Sequence, residues 1–147
     1  MKILNECRLS FPADSRNEGL ARAALSAFLI PLDPTAQELA DLRTVISEAV
    51  TNAIVHGYRG TTGTVSLCLR MLPDRVLYLR VTDHGCGIPD VDKAMQPLYT
   101  SAPEEERAGL GFAIMQTFTD SLRVRSSEGE GTVLTMRRKL GGQDAEA

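Results

Sequence analysis

One amphipathic stripe constrains this chain more than anything else in it. Leu39, Leu42, Ile46, Ala49, Val50 and Ala53 recur at i, i+3, i+4 and i+7, so they line one side of a helix that must lie against an apolar surface. Just downstream the period changes to two. Val65, Leu67, Leu69 and Met71 alternate with Thr64, Ser66, Cys68 and Arg70. After a Pro73-Asp74-Arg75 turn, Leu77, Leu79 and Val81 alternate with Tyr78, Arg80 and Thr82, which predicts an antiparallel hairpin with one apolar face. A one-sided helix beside a one-sided hairpin predicts helices packed on one face of a sheet.

The flanking segments extend the same pattern. Ile3, Leu4, Cys7 and Leu9 mark an irregular strand over 2–10. Ser15 and Glu18 have capping-box spacing, and Leu20, Ala24, Ala27 and Phe28 follow at helical intervals, predicting a first helix over 14–30. Pro31 breaks it; Asp33 before Pro34 reads as the N-cap of the central helix, and Gly57 as its left-handed stop. From Asp83 to about Gly109 no period is sustained, and the stretch holds glycines, three prolines and Glu104-Glu105-Glu106, so a long loop with room for one short helix is expected there. Helical spacing returns from Gly109 to Thr119 through Phe112, Met115 and Phe118, and strands over 122–126 and 132–138 flank a Gly129-Glu130-Gly131 turn. The expected order is β-α-α-β-β-loop-α-β-β: an α+β two-layer sandwich with a mixed, mostly antiparallel sheet, forming a single domain over 1–140 before a disordered tail over 141–147.

Bulk properties exclude several classes. With 147 residues, 43% hydrophobic and 24% charged, the chain suits one globular core that buries about 68–70% of the unfolded surface. The net charge of −3 supplies no global positive field, so neither direct nucleic-acid binding nor a membrane partner is expected. Cys7, Cys68 and Cys86 are odd in number and lack a CxxC spacing, which argues against a disulfide framework or a zinc site. The first ten residues do not resemble a leader, and a cytoplasmic location is expected.

Three short features carry chemistry. Glu48 and Asn52 stand one turn apart on the edge of the central helix, away from its apolar stripe. Taken alone, that is also how the solvated edge of any amphipathic helix looks. Asp83-His84-Gly85-Cys86-Gly87 follows a strand, where a carboxylate precedes two glycines that permit close approach of a flat ligand. Gly109-Leu110-Gly111 then leads into a helix whose first amides can hold phosphate.

Their order, E-x-x-x-N on a helix, D-x-G-x-G after a strand, a loop and then G-x-G, resembles the GHKL ATPase superfamily, which includes histidine kinases and DNA gyrase B. Within it, Ser47-Glu48-Ala49-Val50-Thr51-Asn52-Ala53-Ile54-Val55-His56-Gly57-Tyr58 is similar to the anti-sigma serine kinases, and Leu32 to Thr35, Gln96 to Thr100 and Arg107 to Phe112 point to the sporulation type. The resemblance covers residues from about 10 to 140. It implies an ATP/ADP cofactor with Mg2+ held by Asn52, and Glu48 as the base for a serine hydroxyl. It implies Asp83 on the adenine amine, with Gly85 and Gly87 making room and Thr132 in support, and Gly109 and Gly111 around the phosphates. Arg107 reads equally as a contact to the terminal phosphate or as a solvated loop arginine, and Ile88 to Arg107 as a lid. His56 and His84 are assigned neither to catalysis nor to a metal.

The implied function is a protein serine kinase that, bound to ATP, inhibits a sigma factor of the sigma F type and phosphorylates an anti-anti-sigma factor of the STAS class. A homodimer is expected, with Ala21, Ala24 and Ala27 buried in it or in the core, and Arg22 and Thr51 as candidate partner contacts. Two other readings stay open: a general-stress anti-sigma kinase of the same fold, and a non-catalytic module gated by ATP.

Overall fold

The computed structural model describes residues 1–96 and 103–141, the side chains of 103–108 excepted. Five strands, β1 (Asn5–Pro12), β2 (Thr64–Leu72), β3 (Val76–Asp83), β4 (Ser121–Ser127) and β5 (Gly131–Lys139), form one sheet in the order β1-β2-β3-β5-β4. The expected two layers are present, but every pairing is antiparallel where a mixed sheet was expected. Each connection is therefore either a hairpin or a crossover through helices.

Among the described residues four α-helices lie on one face: α1 (Asn17–Leu29), α2 (Ala36–Thr51), the short α3 (Val91–Ala94) and α4 (Pro103–Phe118). The central helix α2 packs between α1 and α4 and presses Leu42, Val45, Ile46, Ala49 and Val50 onto the sheet. They meet Val65, Leu67, Leu69, Leu77, Leu79, Val81, Leu134 and Met136, with Phe112 and Met115 from α4 completing one continuous core. Arg138 on β5 clamps this layer, donating to the Asp41 carboxylate of α2 at 2.9 Å and to the Phe118 carbonyl of α4 at 3.1 Å.

Several local expectations are corrected. No side chain caps α1: Glu18, read as half of a capping box with Ser15, instead accepts from Thr51 on α2. The buried residues of α1 are Ala21, Leu25, Phe28 and Leu29, a stripe turned away from the predicted one, and Leu20 is 44% exposed. Leu25 and Leu29 have the larger apolar areas, so burying them gains more than burying the alanines. Of the small residues, Ala21 lies in the core, Ala24 is partly buried and Ala27 is exposed.

The N-cap of α2 is Thr35, not Asp33. Thr35 Oγ1 accepts from Glu38 N at 3.0 Å and Thr35 N donates to Glu38 Oε1 at 2.9 Å, a full capping box. Asp33 has Ala36 in the corresponding position, so it cannot form the reciprocal bond; it adopts a left-handed conformation with φ 46°. Nor does α2 end at Gly57. It continues as a π-helical segment, Asn52–Tyr58, and stops at left-handed Arg59 and Gly60. Finally, α4 begins at Pro103 rather than Gly109, so the acidic run is helical. Proline at a first helical position and carboxylates near the positive end of the dipole both favour that start. The predicted tail from 142 onward lies outside the described residues.

Candidate functional site

The site grows from the end of the central helix. The switch to a wider π turn at Asn52 carries the next residues against the end of β3. The Gly57 carbonyl accepts from Cys86 N at 2.8 Å. A Cβ on Gly57 would stand 2.9 Å from Asp83 Oδ1, and one on Gly85 would stand 2.1 Å from Gly57 O. Only glycine lets these two backbones approach so closely. Tyr58 pins the contact: its hydroxyl accepts from His84 N at 2.9 Å and donates to Thr64 O at 2.6 Å.

Asp83 is 3% exposed, and its Oδ1 accepts from Gly85 N at 2.9 Å. Burial pushes its carboxyl above the usual range, opposed by the Gly85 and Thr132 amides and by His84. Thr132 faces Asp83 across the β3–β5 ladder and is also 3% exposed. Its hydroxyl lies 2.9 Å from Ser126 Oγ, which itself accepts from Ile88 N at 2.7 Å and donates to Gly131 O at 2.9 Å. Gly87, with φ +74°, packs so closely on the Ser127 backbone that a Cβ there would stand 2.0 Å from the Ser127 carbonyl oxygen. One hydroxyl, Ser126, thus ties the D-x-G-x-G loop to the hairpin of β4 and β5.

On α2, Glu48 is partly buried, and its carboxyl is raised by burial and by the charge of Glu18. Gly111 of α4 faces it: a Cβ there would lie 3.1 Å from Glu48 Oε2. Gly109 comes against the Gln96 carbonyl, with its hypothetical Cβ at 3.3 Å. Both glycines stand inside α4, so they do not open the helix as expected, and their amides belong to its hydrogen-bonded body. Asn52 is 7% exposed, and its carboxamide makes no hydrogen bond among the described residues. Such a nearly buried, uncommitted amide oxygen has the chemistry of a hard cation ligand. No group of three His, Cys, Asp or Glu occurs among the described residues, so any cation here would complete its shell with ligand oxygens and water.

The structure joins Glu48, Asn52, Asp83, Gly85, Gly87, Gly111 and Thr132 through one helix end and its neighbours, with Gly109 two residues before Gly111 on α4 and turned to Gln96. The side chain of Arg107 lies outside the described residues, as does the middle of the expected lid, 97–102. Beside Glu48, Arg22 donates to Ser47 Oγ at 3.0 Å and Thr51 donates to Glu18, which places both candidate partner contacts on the α1–α2 seam. A groove of about 610 Å³ runs along that seam and reaches Glu48, but neither Asn52 nor Asp83 lines it. Sequence reading missed Tyr58, Ser126 and the role of Gly57. A tyrosine right after a glycine at a helix end was the available signal for the first; nothing marked the serine.

The chain matches the histidine kinase-like ATPase domain family over residues 11–138. It is 49% identical to an anti-sigma F factor of Pasteuria penetrans, covering 92% of this chain and 91% of that protein. It is 46% identical to the anti-sigma F factor of Clostridium acetobutylicum, covering 92% and 94%.

The chain belongs to the anti-sigma F factor family, within the histidine kinase-like ATPase fold.

Solved structures share the fold alone. The RsbU and RsbW domains of a Mycobacterium tuberculosis protein superpose with TM-score 0.68 at 20% identity, covering 92% of this chain and 32% of that one. A mycobacterial sensor histidine kinase superposes with TM-score 0.55 at 19% identity, covering 90% of this chain and all of the other. No helix among the described residues is long and apolar enough to cross a membrane.

Proposed function

We propose that the chain is an ATP-dependent anti-sigma factor that binds a sigma factor of the sigma F type and phosphorylates an anti-anti-sigma factor on serine. What carries this reading is the placing of Glu48 and Asn52 one turn apart on a helix whose π continuation packs directly on Asp83. In this reading a base and a cation ligand stand on one helix, and a buried acceptor for an adenine amine stands on the strand against which its continuation packs. Near-half identity with anti-sigma F factors along nearly their whole length supports the same assignment.

In this reading Asp83 accepts from the exocyclic amine of adenine, and Gly85 and Gly87, by letting their loop pack against the Gly57 and Ser127 backbones, shape the wall beside the ring. Mg2+, when bound, neutralises charge on the triphosphate, and Asn52 is its protein ligand. Glu48 takes the proton of the attacking serine hydroxyl as the oxygen–phosphorus bond forms and ADP departs. Its raised carboxyl makes it a better proton acceptor than an ordinary surface glutamate. Gly111 leaves room for that carboxylate to turn. Thr132 holds Asp83 in place, and Arg107 and Gly109 are assigned to the phosphate end. Arg22 and Thr51 serve the partner surface along the α1–α2 seam, and the chain functions as a homodimer in the cytoplasm.

The experiment is phosphotransfer from radiolabelled ATP to a purified anti-anti-sigma factor, beside nucleotide-dependent co-purification with sigma factors. Serine labelling that vanishes in Glu48→Ala, together with capture of a sigma F-type factor by the ATP form, is expected. Capture without labelling would leave a non-catalytic ATP-gated module instead.

A further inference from the structure

The helices cover one face of the sheet, and the other face is strongly basic. Strand alternation sends Leu77, Leu79, Val81, Leu134, Met136, Leu122 and Val124 to the core side, so Arg80, Arg123, Arg125, Arg137 and Lys139 stand opposite. Arg8 and Arg70 extend the row on β1 and β2, where Glu6 pairs with both. Seven of the chain's 16 Lys and Arg residues thus lie on this face with a single carboxylate. In a chain of net charge −3, the remainder therefore carries nine excess negative charges. The molecule is electrically two-sided, and its sheet face is the side a polyanion would meet.

The register makes the patch regular. Arg80 and Arg123 flank Thr135 on its two neighbouring strands, about 10 Å apart at strand spacing, while Arg123 and Arg125 are about 7 Å apart along β4. Arg123, Arg125, Arg137 and Lys139 are exposed, and none of these four nor Arg80 is ion-paired among the described residues; Arg138, the other cation of β5, points to the helices and pairs with Asp41. Asp120, Glu128 and Glu130 sit in the turns beyond the ends of β4, and the Asp120 carboxylate accepts from Lys139 N at 2.6 Å.

The apolar cluster on this face, Cys68, Leu72 and Tyr78, is closed over rather than presented. Tyr78 is 6% exposed beneath the guanidinium groups of Arg70 and Arg137, which lie 5.2 and 5.7 Å from its ring centre. Strands β3, β5 and β4 present no exposed large apolar side chain there. Membrane-surface elements insert exposed apolar groups, which β3, β5 and β4 lack, while arginine serves acidic protein and phosphate partners alike. What the face offers is arginine with interspersed hydroxyls, Thr82, Thr135, Ser121 and Ser127, the donor set that contacts phosphates.

We propose that the helix-free sheet face of β3, β5 and β4 binds the phosphate backbone of duplex nucleic acid without reading its sequence. The negative net charge excludes a global attraction, not this local one. The test is fluorescence anisotropy of two labelled 20-base-pair DNA duplexes of unrelated sequence, titrated with the full chain between 50 and 200 mM KCl. Micromolar binding at 50 mM is expected, equal for both sequences, with a log–log salt slope of about −4 from four to five contacts at about −0.9 each. Arg123→Gln with Arg125→Gln should weaken binding at least tenfold and reduce the slope by about 2. The pair Arg16→Gln with Arg59→Gln changes the net charge equally, off this face, and should leave the slope unchanged. Should the first pair melt early, Arg80→Gln alone, with a loss of about one in slope, serves in its place. Absence of binding at 50 mM KCl would overturn the proposal, as would equal losses from both pairs. Equally tight, Arg123- and Arg125-dependent binding to polyglutamate or to phosphatidylglycerol vesicles would also overturn it and give the face to an acidic protein or a membrane.

Discussion

Gly57 and Asp83 touch across the junction of helix and sheet, so closely that a methyl group on residue 57 would lie 2.9 to 3.1 Å from three atoms of the Asp83 carboxyl group. This contact joins the helix that carries Glu48 and Asn52 to the strand that carries the buried acid.

Gly57→Ala should therefore displace the carboxylate while barely altering stability. Alanine gains about 0.5–1 kcal/mol of helical preference over glycine, which offsets part of the steric cost. We expect nucleotide affinity to fall more than tenfold with a melting temperature within a few degrees of wild type. Titration calorimetry beside thermal melting measures both; an unchanged affinity would detach Gly57 from the site.

Asp83→Asn separates binding from folding. The folded carboxyl is raised above 3.8 by burial, so its protonated form stabilises the fold below that pH and the benefit is lost as pH rises through the folded value. At neutral pH the ionised group is a net cost, which asparagine removes. The variant without nucleotide should melt at or above wild type at pH 7. Its ATP affinity should drop about 10- to 100-fold, because a hydrogen bond to a charged acceptor is worth about 1.5–3 kcal/mol.

The fold was legible in the chain wherever a period was clean. The stripe from Leu39 to Ala53 and the β2–β3 hairpin carry unambiguous spacings, so the two-layer architecture followed from them. Ends were less legible. Thr35 and Asp33 are both good caps in isolation, and only the partner three residues on, Glu38 against Ala36, decides between them. The phase of α1 hinged on weighing Leu25 and Leu29 against a run of alanines. Of the site, its polar residues were visible as motifs, but Ser126 and Tyr58 join it through contacts 38 and 26 residues apart in sequence, which no local pattern reports.

Thr35→Ala tests the corrected cap. Loss of a capping threonine costs about 1 kcal/mol. Urea unfolding should show that loss for Thr35→Ala and almost none for Asp33→Ala. The reverse order would restore Asp33 as the cap.

Glu48→Gln should bind ATP as wild type does and lose phosphotransfer by at least a hundredfold, the scale of a general base. In the wild type the base is the ionised form, and burial with the Glu18 charge lifts its carboxyl above 4.5. The rate should therefore fall as pH drops through that raised value, and Glu18→Gln should move the acid limb to lower pH. A limb that stays put in Glu18→Gln would remove the coupling.

The central claim is that Asn52 and Asp83 serve one nucleotide, and ATP titrations of wild type, Asn52→Ala and Asp83→Asn, each with and without Mg2+, test it most directly. The account predicts that Mg2+ tightens ATP binding to wild type and to Asp83→Asn but not to Asn52→Ala, and that Asp83→Asn weakens ATP binding in both conditions. A Mg2+ effect of full size in Asn52→Ala, or full ATP affinity in Asp83→Asn, would contradict it.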